Sequence, residues 1–372
     1  MMSVAGELRK CFLRKYVFAS LFALLLINAF IIIAGYFRGS IWISDGITRQ
    51  SVTRKEWNYY SGMMKKTEGK ITEGKAEIIM REYSQHQTND YRYSIIETCF
   101  YDPYKYISSY ASDNRKVLSR GHENRYIQKH YCNRYLNCFF DTTGWKKLIG
   151  HDYSDVFILA LIFLVVMPCY SVERSNGMSE VILSSYKRMS CYYVQKHNAA
   201  LIASIILSML FSVENYLLYY FLYGLFHAEC PIYSLPEYRY CPLDVSLFGF
   251  YLVISLYKMF GFLCFTEVLV FLSRHIRNTY ALAAAFILFA VLMIFLRGYW
   301  ASINENYLVF AIISPLTGLI SPDIYTKYKM VYVAGTNIPL MVCYCVFQIL
   351  VLFVEYLSCF VEERRLCYHG KY

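Results

Sequence analysis

The sequence lacks the short motifs that mark many catalytic sites. GxSxG, which carries an activated serine, and HExxH, which binds zinc, are both absent. Residues 69–76 nearly match the phosphate-binding loop GxxxxGK[ST], but Ala76 stands where the motif needs a hydroxyl for the metal ion, and no apolar strand precedes it. We therefore expect no enzyme activity, no ATP site and no energy source of its own in this chain.

Metal-ligand spacings are also lacking. The eight histidines are scattered along the chain. His122 and His130 lie near Cys132 and Cys138, but these positions do not have a standard zinc spacing. We expect no metal site and no cofactor here.

Charged residues are scarce and hydrophobic residues are abundant. They make up 17% and 57% of the 372 residues, whereas soluble domains average about 25% charged residues. The chain is therefore predicted to be a membrane protein rather than two or three soluble domains. Its net charge of +10 comes mainly from the ends of apolar runs and from one long polar insert, and no nucleic-acid-reading motif accompanies it. We expect no nucleic-acid partner.

Six apolar runs are long enough to cross a bilayer, whose hydrocarbon core of about 30 Å needs about 20 helical residues. They are residues 16–37, 153–170, 199–226, 245–272, 280–296 and 338–360. The first run is longer than a usual signal-peptide core and no small-x-small cleavage site follows it, so we take it as an uncleaved span. The predicted fold is an all-α polytopic protein of the cell membrane.

Basic residues set the predicted orientation. They precede the first run and fill two short connections, residues 171–196 and 273–278, which places these connections and both termini in the cytoplasm. The chain then divides into residues 1–37, an extracellular domain at 38–152, and residues 153–372, which hold spans two to six.

The extracellular domain is predicted to be helical. One apolar seam repeats every seven residues, at Trp57, Met64, Ile71 and Ile78, and a second helical pattern covers residues 127–139. A solvated stalk without a core is the alternative, which the many aromatic and branched residues disfavour.

Two connections carry further signals. Residues 306–335 contain Pro315, Gly318 and Pro322 in a moderately apolar run, which predicts short re-entrant or interfacial helices before span six. Residues 171–196 are too polar to span, but their apolar residues recur at three- and four-residue steps, which predicts an amphipathic helix at the membrane surface.

Two charged residues fall deep inside predicted spans. Glu214 lies in span three and Lys258 in span four, within about two helical turns of equal depth. Charges at such depth usually face a partner or a water path. They form a candidate intramembrane pair, either as a structural ion pair or as a polar surface for substrate.

Five of the thirteen cysteines would lie outside the membrane on this topology. Cys230 and Cys241 flank a proline-rich loop that could bring them within bonding distance, in a compartment that permits oxidation. They are the candidate disulfide, with Cys132 and Cys138 as a second, less favoured pair.

Residues 171–196 resemble the segment after the second span in type 2 (export-type) permeases of ABC transporters. In that family an acidic residue and a glycine precede a helix that ends in basic residues, and Glu173, Gly177, Met178 and Arg188 match this pattern. Six spans and a large insert after the first are similar to Gram-positive members. One departure is Arg174, where the family often has a second acidic residue.

The resemblance implies that separate subunits bind ATP and form the transport path. A separate ABC ATP-binding subunit, which binds ATP and Mg, would dock on Glu173, Gly177, Met178 and Arg188. A second permease chain, identical or related, would complete the path. The implied function is export of a drug, antimicrobial peptide or lipid-like substrate, with membrane lipids around the spans.

Two other classes of protein would explain part of the sequence. A sensor or receptor with an extracellular ligand-binding domain needs a cytoplasmic signalling module, for which residues 361–372 leave little room. An intramembrane enzyme needs paired acidic or histidine residues at matching depth, and the predicted spans show no such pair.

Cysteine labelling tests the predicted topology. With the native cysteines replaced, an impermeant thiol reagent should label Ser112→Cys in intact cells and should reach Ser185→Cys only after permeabilisation. Strong labelling of Ser185→Cys with none of Ser112→Cys would reverse the orientation.

Overall fold

The computed structural model describes the membrane part of the chain and little of the long insert. The described residues are 4–12, 14–38, 41–44, 49–52, 69–70, 138–139, 142–175, 192–238, 241, 243–276, 278–302, 307–326, 330–333 and 336–369. Six helices among them are long and apolar enough to cross a membrane. The prediction of a mostly helical protein with six candidate spans is confirmed to that extent.

The described residues form several α-helices, and in the second half of the chain the connections between them are short. The helices are α1 Val4–Phe12, α2 Lys15–Arg38, α3 Thr143–Ile149, α4 Tyr153–Ser175, α5 Tyr192–Tyr223, α6 Leu247–His275, α7 Thr279–Ser302, α8 Tyr307–Ile313, α9 Leu316–Leu319, α10 Ser321–Thr326 and α11 Leu340–His369. The candidate spans are α2, α4 together with α3, α5, α6, α7 and α11. Long apolar segments take this form because a helix satisfies every backbone polar group internally where water is absent.

Helix α6 lies at the centre of the bundle. It contacts α4, α5, α7 and α11, and also the short helices α3, α9 and α10. By contrast, α2 and α7 lie at the periphery, since only 17% and 11% of their apolar windows are buried. Their exposed residues include Phe18, Phe22, Leu288 and Phe295, which is the surface that lipid chains require.

Helix α4 runs further than the span that it forms. Span two is predicted to end near Pro168, and the candidate span of the structure does end there, while the helix itself continues through this proline to Ser175. A proline removes one backbone hydrogen bond, and a transmembrane helix tolerates this because neighbouring groups can satisfy the freed carbonyl. Helix α5 likewise begins at Tyr192, before the predicted start of span three.

Short strands occur that the sequence analysis did not predict. β1 Ile41–Ser44 pairs with β2 Arg49–Val52, β3 Gly69–Lys70 with β4 Cys138–Phe139, and β5 Met330–Val333 with β6 Thr336–Pro339, all antiparallel. β3 lies inside the first helical pattern predicted for the insert, where Gly69 weakens helix propensity, and β4 lies at the end of the second pattern. The other residues of both patterns lie outside the described residues.

Residues 307–326 form three short helices, and one of them is packed closely on α6. A Cβ atom added to Gly318 of α9 would lie 2.5 Å from the Tyr257 carbonyl oxygen and 2.7 Å from the Tyr344 hydroxyl. The facing Gly261 of α6 is similarly crowded, since its Cβ would lie 3.0 Å from the Pro315 carbonyl oxygen. Small residues allow this close approach of two helices. The level of these helices in the bilayer stays a prediction.

A pair of glycine substitutions tests this packing. Alanine is the better helix former by about 0.5–1 kcal/mol, so Gly35→Ala, whose added carbon meets nothing within 4 Å, should leave the thermal midpoint unchanged or raise it. Gly318→Ala should destabilise the protein by about 1–3 kcal/mol, because backbone atoms must move apart. Thermal unfolding in detergent measures both variants. Equal midpoints would show that α6 and α9 are not closely packed.

Candidate functional site

A cluster of polar side chains lies between α2, α4, α5 and α6, near the ends where α4 begins and α5 ends. We call it the outer cluster, after the predicted topology. Its members are Asn28, His151, Asp152, Ser154, Asp155, Glu214, Asn215, Tyr219 and Lys258.

The link between α3 and α4 carries His151 into this cluster. Helix α3 is fixed by Trp145, which is fully buried and whose indole N–H donates to the Phe226 carbonyl oxygen at 2.9 Å. The helix ends at Gly150, and the chain then turns into α4. His151 therefore enters the bundle on a short turn whose two ends are both held.

Asn28 connects α2 to α5 and to the turn before α4. Its amide nitrogen donates to Glu214 at 2.9 Å and to Asn215 at 2.8 Å, and its oxygen lies 3.0 Å from Nε2 of His151. Because the Asn28 oxygen only accepts, Nε2 of His151 must carry the proton. Nδ1 of a neutral His151 then accepts from the Tyr219 hydroxyl, 3.2 Å away. The hydrogen bonds therefore all run in one direction, from Tyr219 towards Glu214.

Lys258 of α6 holds the start of α4. Its ammonium group lies 2.8 Å from Oδ2 of Asp155 and 3.2 Å from Oδ1 of Asp152, and it also donates to the His151 carbonyl oxygen at 3.4 Å. Asp155 and Lys258 are about 10% exposed, whereas Asp152 is largely exposed. The pair of Lys258 with Asp155 is thus the buried ion pair of the cluster.

A cavity adjoins this ion pair. It is small, with a volume of about 20 Å³, which is room for about one water molecule. One part of its wall is polar and another is apolar. The polar lining is His151, Ser154, Asp155, Ser212, Asn215, Tyr251, Ser255 and Lys258, and the apolar lining is Leu148, Ile149, Ile158, Phe211, Ile254 and Phe262.

Glu214 and Lys258, the predicted pair, both belong to the outer cluster but have different partners. Glu214 accepts from Asn28, while Lys258 pairs with Asp155 and Asp152. The direct ion pair between them is not formed. The rise per residue of a helix predicted only that Glu214 and Lys258 lie at similar depth. Asp155 lies closer to the Lys258 ammonium because α4 packs against α6.

A second polar cluster, the inner cluster, lies where α5 begins and where α6 and α11 approach their ends. Nε2 of His197 lies 2.9 Å from Oε1 of Glu267, and its Nδ1 lies 3.3 Å from Sγ of Cys359. His197 and Glu267 are both buried, and their contact is an ion pair when the imidazole is protonated. Nearby, Arg274 pairs with Glu355 at 2.9 Å.

Glu267 is buried although it lies near the end of a predicted span. It is only 2% exposed and lies inside the bundle. His197 and Cys359 gave no signal in the sequence, because a histidine and a cysteine beside apolar runs are unremarkable. Asn28 was also missed, as a single uncharged residue in a long apolar run.

The four predicted coupling residues lie at the edge of the described structure. The backbone of Glu173 belongs to α4. Gly177, Met178 and Arg188 lie outside the described residues, as does the middle of the predicted amphipathic helix. The coupling assignment therefore stays a prediction.

Cys230 and Cys241 are both buried in the core that surrounds the connection between α5 and α6. The structure carries them as thiols. Their oxidation to a disulfide stays a prediction.

Comparison of the chain with models of protein families, with curated proteins and with solved structures gives no match.

Lys258 offers a test of the outer cluster. Lys258→Met leaves the Asp155 carboxylate buried without its cation, so we expect a loss of about 3 kcal/mol in stability. The double variant Asp155→Asn with Lys258→Met should recover most of this loss. Glu214→Gln is the control, because glutamine still accepts from Asn28, and its effect should stay below about 1 kcal/mol.

Unfolding of these variants in detergent, together with the single variant Asp155→Asn, gives the coupling free energy between Asp155 and Lys258. If Lys258→Met is as stable as the parent, the ion pair does not hold α4 against α6.

Proposed function

We propose that the protein is the permease subunit of an ATP-driven exporter of the ABC type, powered by a separate ATPase subunit. The observation that carries the proposal is the continuity of α4 and α5 with the connection between them. α4 extends seven residues beyond Pro168, where its apolar window ends, and α5 begins at Tyr192, two residues before its own window. Force applied to residues 176–191 therefore acts directly on two long helices.

The same two helices carry most of the outer cluster. Asp155 lies on α4, while Glu214 and Asn215 lie on α5, and both helices pack against α6. A helix of this length is a stiff rod, with a rise of about 1.5 Å per residue. Tilting α4 from the coupling end would change the distance from Asp155 to Lys258 at the other end. This is the link between ATP hydrolysis and the path that the proposal requires.

The cavity has room for about one water molecule, so a substrate would enter only after the helices around it move apart, but its lining combines polar and apolar groups. Asp155 and Lys258 offer one charge of each sign, and Phe211, Ile254 and Phe262 offer an apolar wall. Charged groups inside a membrane bundle commonly mark a substrate path. We therefore favour an amphipathic substrate, such as an antimicrobial peptide, a drug or a lipid-like molecule.

The peripheral spans supply the remaining surfaces. α2 and α7 expose apolar side chains along most of their length. In the proposal these faces contact membrane lipids and a second permease chain, with both termini in the cytoplasm. The short helices α8 to α10 would lie on the outer side as re-entrant or interfacial elements.

Substitutions in residues 171–196 test the proposal. Glu173→Lys and Gly177→Val, made separately, should reduce copurification of a P-loop ATPase, or substrate-stimulated ATP hydrolysis, by about tenfold. The expected loss reflects an altered docking charge or an altered turn. Asp244→Lys is the matched control, since this exposed acid lies at the opposite ends of the spans.

All variants must insert and elute from size exclusion as the parent does. If both coupling variants retain the ATPase and its stimulation, residues 171–196 are not the coupling element. If no ATPase copurifies and the lone chain binds an extracellular ligand, the sensor class replaces the permease.

A further inference from the structure

The turn that follows α5 has an unusual backbone. Two of its residues have positive φ, Gly224 at 66° and His227 at 54°. Few non-glycine residues adopt this conformation, although histidine does so more readily than most. The turn is closed by the Cys230 N–H, which donates to the His227 carbonyl oxygen at 2.9 Å.

This backbone brings three potential metal ligands together. One ligand atom each from His227, Glu229 and Cys230 lies within 4.8 Å of the other two, and Nδ1 of His227 lies 3.5 Å from Oε1 of Glu229. In a tetrahedral zinc site with bonds of about 2.0–2.3 Å, neighbouring ligand atoms are about 3.4–3.8 Å apart. The observed arrangement therefore needs only small side-chain movements to close around an ion.

We propose that His227, Glu229 and Cys230 form a binding site for Zn²⁺ or a closely similar transition-metal dication. The donor set of imidazole nitrogen, carboxylate oxygen and thiolate sulfur favours such ions over Mg²⁺ and Ca²⁺, which prefer oxygen ligands. A thiolate and a carboxylate together also neutralise the two positive charges of the ion.

The exposed fractions of the three side chains indicate that a bound ion would lie near the protein surface, with the sulfur buried beneath it. Cys230 is 1% exposed, whereas the side chains of His227 and Glu229 are 27% and 78% exposed. Three protein ligands leave a fourth position open towards solvent for water or an external ligand. The site therefore resembles an accessible zinc centre more than a closed structural one.

The position of the turn gives the site a structural consequence. The carbonyl oxygen of Cys230 accepts from the Leu247 N–H at 2.8 Å, which joins the turn to the start of α6, and Phe226 accepts from Trp145 of α3. A bound ion would therefore stiffen the connection between α5 and α6. It would also compete with the predicted disulfide, because Cys230 cannot serve as a zinc ligand and bond to Cys241 at the same time.

Cobalt titration tests the site on the full chain, reduced and purified in detergent. Co²⁺ should bind at one equivalent, with the charge-transfer absorption of a cobalt–thiolate bond, and Zn²⁺ should displace it. Cys230→Ser should abolish the absorption. His227→Gly, which keeps the positive φ accessible, and Glu229→Gln should each weaken binding at least about tenfold, as loss of even an outer-shell partner does.

Glu237→Gln and Cys241→Ser are the matched controls, since they remove an acid and a thiol from the same connection. Both should bind Co²⁺ as the parent does, and all variants should elute from size exclusion as the parent does. Absence of saturable binding in the reduced parent would overturn the proposal, as would an unchanged absorption in Cys230→Ser. The titration requires no ATPase, so its failure would leave the proposed export function untouched.

Discussion

A charged side chain in a membrane bundle must find a partner inside the protein, and this constraint acts on three buried residues of α6. Lys258 and Glu267 lie nine residues apart on this helix, about 13.5 Å along its axis by helix rise, and Arg274 lies in its last turn. Lys258 is paired with α4, Glu267 contacts α5, and Arg274 is paired with α11. The central place of α6 agrees with this, because its three charges require neighbours on three other helices.

The two clusters lie at two different levels of the bundle. Between them, the packing of α6 against α4 and α5 is mostly apolar and includes Phe211, Phe262 and Phe265. In the proposed transport cycle, opening the outer side would require separation of Asp155 from Lys258. Opening the inner side would require separation of His197 from Glu267. Polar contacts suit such a switch, because water can solvate both partners once they part, whereas apolar surfaces gain nothing from exposure.

The sequence predicted the spans well because a long apolar run has few other stable conformations. It identified Glu214 and Lys258 as residues that need partners, because ionisable groups are conspicuous in such runs. It did not predict the partners. Helix rise gives depth, but the rotation of one helix against another depends on packing, and Asp155 lies at the very start of the apolar run that defines span two. The α3 turn that places His151 was also beyond prediction, since only tertiary contacts of Trp145 fix it.

Stability alone gives a poor account of the pair between Lys258 and Asp155. Apolar residues of similar size often replace a buried ion pair with no loss, or with a gain of about 1–4 kcal/mol. A bundle that needed only to fix α4 against α6 would do so with fewer polar atoms. Here the pair borders a cavity whose wall carries six further polar side chains. The hydrogen bonds of Asn28 join this wall to α2. A function that uses charge at this level, as the proposed export of an amphipathic substrate does, accounts for both the pair and the cavity.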